Sequence, residues 1–392
     1  MRGGLWLLAW NHVLYNRAQT VILTLCLAVT MCIPMTTRML IGLYESDLRA
    51  RAQATPLLAG ARGNRFDLSL AALYFRHSEL EPMPYGEFES ISREAAGVCV
   101  PISVRFTAQG YPVVGTSADY FSVRGMQPAT GELPQLIGDA VVGWDVAQDL
   151  GLSAGDSLFS DPVDLYDIAK PSALKMHVTG VLARTGSPDD RAVFTDIKSA
   201  WVLEGISHGH QDVVNEPLDP QMVIGKTDEL VAVSLALMEY NEVTPENAWT
   251  FHTHADPSTL PLTAVLVWPT DAKSGTILKG KVNQKRLYQM VIPSEVISDL
   301  MAFVFRIQAL FDSLSVILGL STMMLIVLVM LLSARIRSRE FMTLNRIGCS
   351  RFTVLKLYAM ELGLILFLSV ILAVGAATGT AKALPDLVHL VS

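Results

Sequence analysis

Two uninterrupted apolar stretches near the C-terminal end restrict what this chain can fold into more than any other feature. Leu314–Leu332 (LSVILGLSTMMLIVLVMLL) and Leu362–Thr380 (LGLILFLSVILAVGAATGT) carry no charged side chain. At about 1.5 Å per residue, each nearly crosses a hydrocarbon layer roughly 30 Å thick. A lone segment can satisfy its backbone there only as a helix. Between them lies SARIRSREFMTLNRIGCSRFTVLKLYAME, where Arg335, Arg337, Arg339, Arg346, Arg351 and Lys356 outnumber Glu340 and, at the edge of the next span, Glu361. A short connection this basic stays on the cytoplasmic side. The predicted hairpin enters from outside, turns inside and leaves again.

The remaining composition fits an integral membrane protein with one large soluble part. Over 392 residues the chain is 51% hydrophobic and 17% charged, with a mean hydropathy of +0.38. Its apolar residues are clustered rather than evenly spread. A first span is predicted near the N-terminus, where Thr20–Met35 (TVILTLCLAVTMCIPM) is apolar and Met39–Leu43 resumes the pattern. One helix from about Thr20 to Tyr44 places Arg38 at the outer interface, where a long side chain can snorkel. A cleaved signal peptide fits less well, because the apolar core starts late, is long and lacks a small-x-small site. Before it, Trp6, Trp10 and Val13 follow helical spacing in LWLLAWNHVLYNR. That pattern predicts an amphipathic helix along the inner membrane surface.

The expected fold is therefore membrane α-helical, with three transmembrane helices and a large extracytoplasmic α+β domain between the first and second. The expected segments are an amphipathic helix (1–19), a first span and stalk (20–44), and an outer domain (45–293) holding an acidic insertion (204–261). A stalk and second span (294–333), a cytoplasmic loop (334–360), a third span (361–380) and a short outer tail (381–392) follow.

Charge follows the same division. Residues 45–300 carry 33 acidic and 19 basic side chains, whereas the rest of the chain is net positive. An acidic outer domain argues against nucleic acid as a partner. Of the four cysteines, only Cys99 lies in that domain, so no intramolecular disulfide is expected to staple it. A domain this long can bury a sufficient core without one.

Within the outer domain, Glu45–Ala72 is expected to continue the first helix and then form a loop. Ile102, Val104 and Phe106 alternate with polar residues ahead of Gln109-Gly110 and Tyr111–Gly115, predicting a hairpin. Ala140–Val142 reads as a buried strand, Trp144–Leu150 as a helical turn ended by Gly151, and Ser153–Asp156 as a tight turn. Leu174, Met176 and Val178 predict a half-exposed strand, and Ala264–Trp268 another. From Ser294 a helical pattern runs without a breaker to Ser333, about 60 Å if continuous. Such a rod would exceed the bilayer by about half, and the first span running on towards Arg51 would be its partner.

The pieces LAWNHVLYNRAQTVILTL, PLLAGARGNRFDLSLAALYF, DAVVGWDVAQDLGLSAGDSL and VTGVLARTGSPDDRAVFTDIKSAW follow one another along the chain, and SREFMTLNRIGCSRFTVLKLYAMELG lies in the basic connection. In these segments the chain resembles the ABC-transporter permeases of the macrolide-exporter and lipoprotein-release class (MacB- and FtsX-like, type VII). The most specific is SREFMTLNRIGCSRFTVLKLYAMELG, with Arg339-Glu340, Leu344, Arg346, Gly348 and Ser350 at the family's spacing. The resemblance implies a non-catalytic bacterial inner-membrane subunit, its N-terminus cytoplasmic and its large domain periplasmic. Its implied partners are a separate ABC ATPase carrying ATP and Mg²⁺, a second permease copy, and a periplasmic substrate or adaptor. The implied mechanism is mechanotransmission of export or extraction type. One departure stands out: the family's fourth span has no counterpart, since the twelve residues after Thr380 cannot cross a bilayer as a helix. The other reading compatible with the residues is a membrane-anchored ligand or metal sensor, or a scaffold, without a transport cycle.

Three places could carry chemistry. The first is the cytoplasmic loop. Arg335–Asn345 is helix-competent, Gly348 can end that helix, and Ser350 can cap the next. Taken alone, its arginines would anchor to anionic headgroups; the resemblance implies that Arg339, Glu340, Leu344, Arg346, Gly348 and Ser350 couple to the ATPase. The second is Gly275–Val282 (GTILKGKV), which nearly fits a phosphate loop. Val282 stands where the Ser or Thr that holds Mg²⁺ must be, so no nucleotide site is expected. The third is metal binding. His208-Gly-His210 and His252-Thr-His254 are two HxH pairs in one insertion, with Glu204, Asp212, Glu246 and Asp256 nearby. In extended chain, residues i and i+2 project to the same side, so each pair could grip Zn²⁺ or Cu²⁺. The bland alternative is a solvated polar loop, and His77 and His177 are expected to be ordinary surface residues.

Overall fold

A computed structural model describes residues 2–77, 79–161, 173–209, 223–226, 231–233, 240–336 and 351–391. The chain divides into two units, Met1–Asp47 with Met301–Ser392, and Leu48–Leu300.

The first unit is helical. Helix α1 (Arg2–Tyr15) is followed by α2 (Arg17–Gln53), which contains Pro34. Trp6 and Trp10 are exposed while Val13 is buried, so the three do not share one environment. The Thr20 hydroxyl donates to the Val13 carbonyl at 3.4 Å. Helix α9 (Pro293–Ile336) and helix α10 (Arg351–Val391) complete this unit, α10 continuing past Pro385. Among the described residues, three helical segments are long and apolar enough to cross a membrane: Arg17–Gln53, Pro293–Ile336 and Lys356–Thr380. They meet through Leu23, Ile326 and Ile365. Polar side chains add short-range ties: Ser369 Oγ donates to the Thr24 carbonyl at 3.1 Å, and the Thr30 and Thr322 hydroxyls lie 3.4 Å apart. Arg38 and Asp312 pair at 2.9 Å. This pair ties α2 to α9.

The second unit is α+β. In chain order its elements are β1 (Leu57–Ala61), α3 (Arg65–Tyr74), β2 (Met83–Pro84), α4 (Tyr85–Glu94), β3 (Gly97–Ala108), β4 (Tyr111–Thr116) and α5 (Asp119–Arg124). Next come β5 (Pro128–Gly131), β6 (Asp139–Val142), α6 (Trp144–Leu150), β7 (Ser157–Phe159), β8 (Lys175–Leu182), β9 (Val193–Asp196) and α7 (Ile197–Leu203). Short strands β10 (Ser207–His208), β11 (Val223–Lys226), β12 (Val231–Val233), β13 (His252–Thr253) and β14 (Pro261–Leu262) precede β15 (Ala264–Pro269), α8 (Ala272–Gln284) and β16 (Tyr288–Val291). Ten strands form one mixed sheet in the order β16-β1-β15-β3-β4-β9-β6-β8-β5, with β7 also on β8. The β4–β9 and β6–β8 pairs are parallel.

Local chemistry explains these elements. The β3–β4 hairpin turns at Gln109 and Gly110, both with positive φ, the primed geometry that matches strand twist. The Asp161 carboxylate accepts from both turn amides at 2.8 Å. Helix α6 ends where Gly151 turns left-handed, and Asp271 caps α8 through the Ser274 amide at 2.8 Å. Residues 54–61 are not the expected loop. Leu57–Ala61 is a fully buried strand between β15 and β16. A Cβ on Gly60 would collide with the Leu68 side chain of α3, so the glycine lets that helix lie close to β1.

Among the described residues, buried side chains gather into two clusters against the sheet. One gathers Val142, Val146, Leu158, Met176 and Val178 around β6 and β8. The other gathers Met83, Ile91, Trp201, Leu262 and Val267 beneath α4 and α7. Trp201 satisfies its buried indole N–H on the Pro261 carbonyl at 3.0 Å. The free thiol of Cys99 is pushed up by burial, which makes it a poor nucleophile.

Candidate functional site

The chemistry-bearing side chains that the fold brings together lie where α7 hands over to β10. Strand β10 pairs antiparallel with β13, Ser207 opposite Thr253 and His208 opposite His252. Directly opposed residues share a face of the ribbon, and the residue two positions on returns to that face. His208, His252 and His254 therefore converge, while Thr253 between them uses its hydroxyl on the Ile206 carbonyl at 3.3 Å. Each histidine offers one ring nitrogen, and the three lie within 4.8 Å of one another. Nε2 of His252 is 3.2 Å from Nε2 of His254. His208 and His252 are partly buried and His254 is exposed, so solvent reaches the cluster from one side.

Ring orientation follows from hydrogen bonding. His252 Nδ1 lies 2.7 Å from the Thr250 carbonyl, which can only accept. In the tautomer this favours, Nδ1 carries the proton and Nε2 turns towards the cluster, facing Nε2 of His254. The backbone beneath is closely packed. A Cβ on Gly209 would strike the Phe251 ring at 2.6 Å, and the Gly209 carbonyl accepts from the Tyr240 amide at 2.8 Å. Phe251 in turn packs on the core around β6 and β8.

Of the two expected HxH pairs, His252/His254 comes together as a pair. His208 joins it across the ribbon, and His210 lies outside the described residues, as does Asp212. The nearby carboxylates are engaged elsewhere. Glu204 pairs with Arg105 at 3.0 Å, Asp256 accepts from the Ser258 amide at 2.9 Å, and Glu246 is held by its own backbone amide and Thr244. Among the described residues, no carboxylate joins the three imidazoles. His177 instead meets Glu242 at 3.1 Å, and His77 is exposed.

The coupling residues Arg339, Glu340, Leu344, Arg346, Gly348 and Ser350 lie outside the described residues. Gly275–Val282 is the interior of helix α8, which β15 leads up to. Amides committed to a helix cannot wrap a phosphate as a loop does.

A second polar cluster escaped the sequence reading. Arg51, in the last turn of α2, is buried beside Asp189 and Tyr120. Its guanidinium donates to both carboxylate oxygens of Asp189, to the Tyr120 hydroxyl at 2.7 Å and to the Leu73 carbonyl at 3.1 Å. Tyr120 and Ser187 also donate to Asp189, at 2.5 and 2.7 Å. Burial disfavours the Asp189 charge, but Arg51 and these donors outweigh it and hold the carboxyl below its ordinary value. Burial pushes the Tyr120 hydroxyl well up. Arg51, Asp189 and Tyr120 thus answer one another's donors and acceptors, which marks the cluster as a structural joint.

Fold and composition define a class: a polytopic membrane protein whose large mixed-sheet α+β domain interrupts the helices between the first and second candidate spans. Comparisons with known proteins add likeness of fold. The chain is similar to the periplasmic region of MacB from Actinobacillus actinomycetemcomitans, at 9% identity and a TM-score of 0.37, over 64% of this chain and 95% of that one. It is also similar to the extracellular domain of the noncanonic ABC-type transporter YknZ from Gram-positive bacteria, at 10% identity and a TM-score of 0.33, over 60% and 99%. No protein-family model and no curated protein matches the chain. At such identities and scores the functional reading has to stand on the chain's own residues.

Proposed function

We propose that the chain is the membrane subunit of an ABC-type complex, of the MacB- and FtsX-like kind, that couples ATP hydrolysis on a separate subunit to movement of an extracytoplasmic domain. The observation that carries this reading is the order of parts. An apolar helix, a folded domain of about 250 residues, a second apolar helix, a strongly basic segment and a third apolar helix succeed one another. In this reading ATP hydrolysis falls to a separate subunit, and this chain supplies a route for force. Helices α2 and α9 run 37 and 44 residues without a break, from apolar segments into the residues that build the α+β unit. The Arg51 joint fixes the last turn of α2 among Leu73, Tyr120 and Asp189. In this reading the segment containing Arg339, Glu340, Leu344, Arg346, Gly348 and Ser350 receives the ATPase, two copies of the chain pair in the membrane, and a periplasmic substrate or adaptor meets the outer domain.

The orientation is tested with the chain's own thiol. Cys349 lies in the basic segment, and an added Glu132→Cys marks the α+β unit. In spheroplasts, a membrane-impermeant maleimide should label Glu132→Cys and reach Cys349 only after the membrane is broken. Labelling of Cys349 in sealed spheroplasts would overturn the orientation, and the coupling role with it.

A further inference from the structure

We propose that His208, His252 and His254 form a binding site for a borderline divalent transition metal, Zn²⁺ being the best fit. This site does not depend on the transport reading; it would exist whether or not the chain works with an ATPase.

Geometry carries the argument. Two nitrogens bound at 2.0–2.1 Å to a tetrahedral ion stand about 3.3 Å apart. Nε2 of His252 and Nε2 of His254 are already 3.2 Å apart, and all three ligand atoms fall within 4.8 Å. Closing the remaining gap takes only side-chain rotation. The Thr250 carbonyl favours the His252 tautomer in which Nε2 turns towards the cluster, the arrangement by which metal-binding imidazoles are held. Two of the ligands are locked by β-pairing in register, His208 against His252, and the third follows at i+2 on the same face. The site is thus largely prearranged in the backbone.

The chemistry narrows the ion. Three neutral imidazoles and no carboxylate among the described residues favour Zn²⁺, Cu²⁺ or Ni²⁺ over the hard cations Mg²⁺ and Ca²⁺, which take oxygen ligands. A three-histidine face leaves a fourth position for water or an incoming donor. Opening on the exposed side, by His254, gives an ion and such a donor access. Binding would tie β10 to β13, two strands more than forty residues apart in the chain.

The test uses the full-length chain in detergent micelles, purified without a histidine tag and titrated with ZnCl₂ by calorimetry. The expected result is one saturable ion per chain at micromolar or tighter affinity. His254→Ala and His252→Ala should each weaken it about tenfold or more, and His77→Ala should leave it unchanged. Because His254 is exposed and follows β13, its loss should spare the fold, which the metal-free Tm of each variant checks. Zn²⁺ should raise the Tm of the wild type and leave that of the His254→Ala variant unmoved. As a second readout, Co²⁺ should give the intense visible absorption of a four-coordinate nitrogen site and lose it in His254→Ala. Absence of saturable binding below about 100 μM, or equal binding by the triple His208/His252/His254→Ala variant, would overturn the proposal.

Discussion

The side chain with the heaviest structural duty is Arg51, a cation buried in the last turn of α2. Leaving its guanidinium or the Asp189 carboxylate alone in that position exposes an uncompensated charge to a low-dielectric interior. Asp189→Asn should therefore cost the α+β unit about 3–5 kcal/mol, the range for breaking a buried pair. Tyr120→Phe, which removes one donor and one acceptor but no charge, should cost less, about 1.5–3 kcal/mol. Denaturant or thermal unfolding monitored by Trp fluorescence would measure both. Acid gives an independent check. Because the native Asp189 carboxyl sits below its unfolded value, its contribution is complete above about pH 4 and disappears as the pH drops through the lower native value. Plots of Tm against pH for wild type and Asp189→Asn should converge in strong acid. The residues name His208, His210, His252 and His254 as candidates, but they show neither the Arg51–Asp189 pair nor the meeting of His208 with His252 and His254. The pair 252/254 could be read because extended chain repeats every two residues, whereas its union with His208 depends on strand register set by the rest of the fold. Arg51 finds Asp189 across 138 positions, a separation that carries no local signal.

Helices and strands were read in proportion to how clearly one face differs from the other. Strands β3, β6, β8 and β15 alternate or are plainly apolar, and turn residues bound them. Strand β1 was read as loop because Leu57–Ala61 is covered on both faces and built largely from small residues, so neither alternation nor bulk announces it. The long helices were visible from apolar length alone, but their mutual contacts were not. Arg38 and Asp312 are the test of that pairing. Asp312→Arg should lower the Tm of the detergent-solubilised chain by setting two cations side by side, and adding Arg38→Asp should recover most of the loss. A double-mutant cycle with no coupling would mean that α2 and α9 do not meet through these residues.

The entire chain is, in the function proposed above, a transmitter of work: hydrolysis would happen in another polypeptide, and this one would supply the membrane helices and the domain that moves. Three candidate spans and an α+β domain between the first two are compatible with that division of labour. A sensor or scaffold with the same architecture would not need its basic segment to speak to an ATPase, and there the two readings part. Co-purification of the full chain with its ATP-hydrolysing partner, followed by hydrolysis assays in lipid vesicles, separates them. We predict that the wild-type chain stimulates hydrolysis and that Arg339→Glu or Glu340→Lys abolishes the stimulation while leaving assembly of the chain in the membrane intact. A chain that purifies without any ATP-hydrolysing subunit, or a stimulation indifferent to both substitutions, would contradict it.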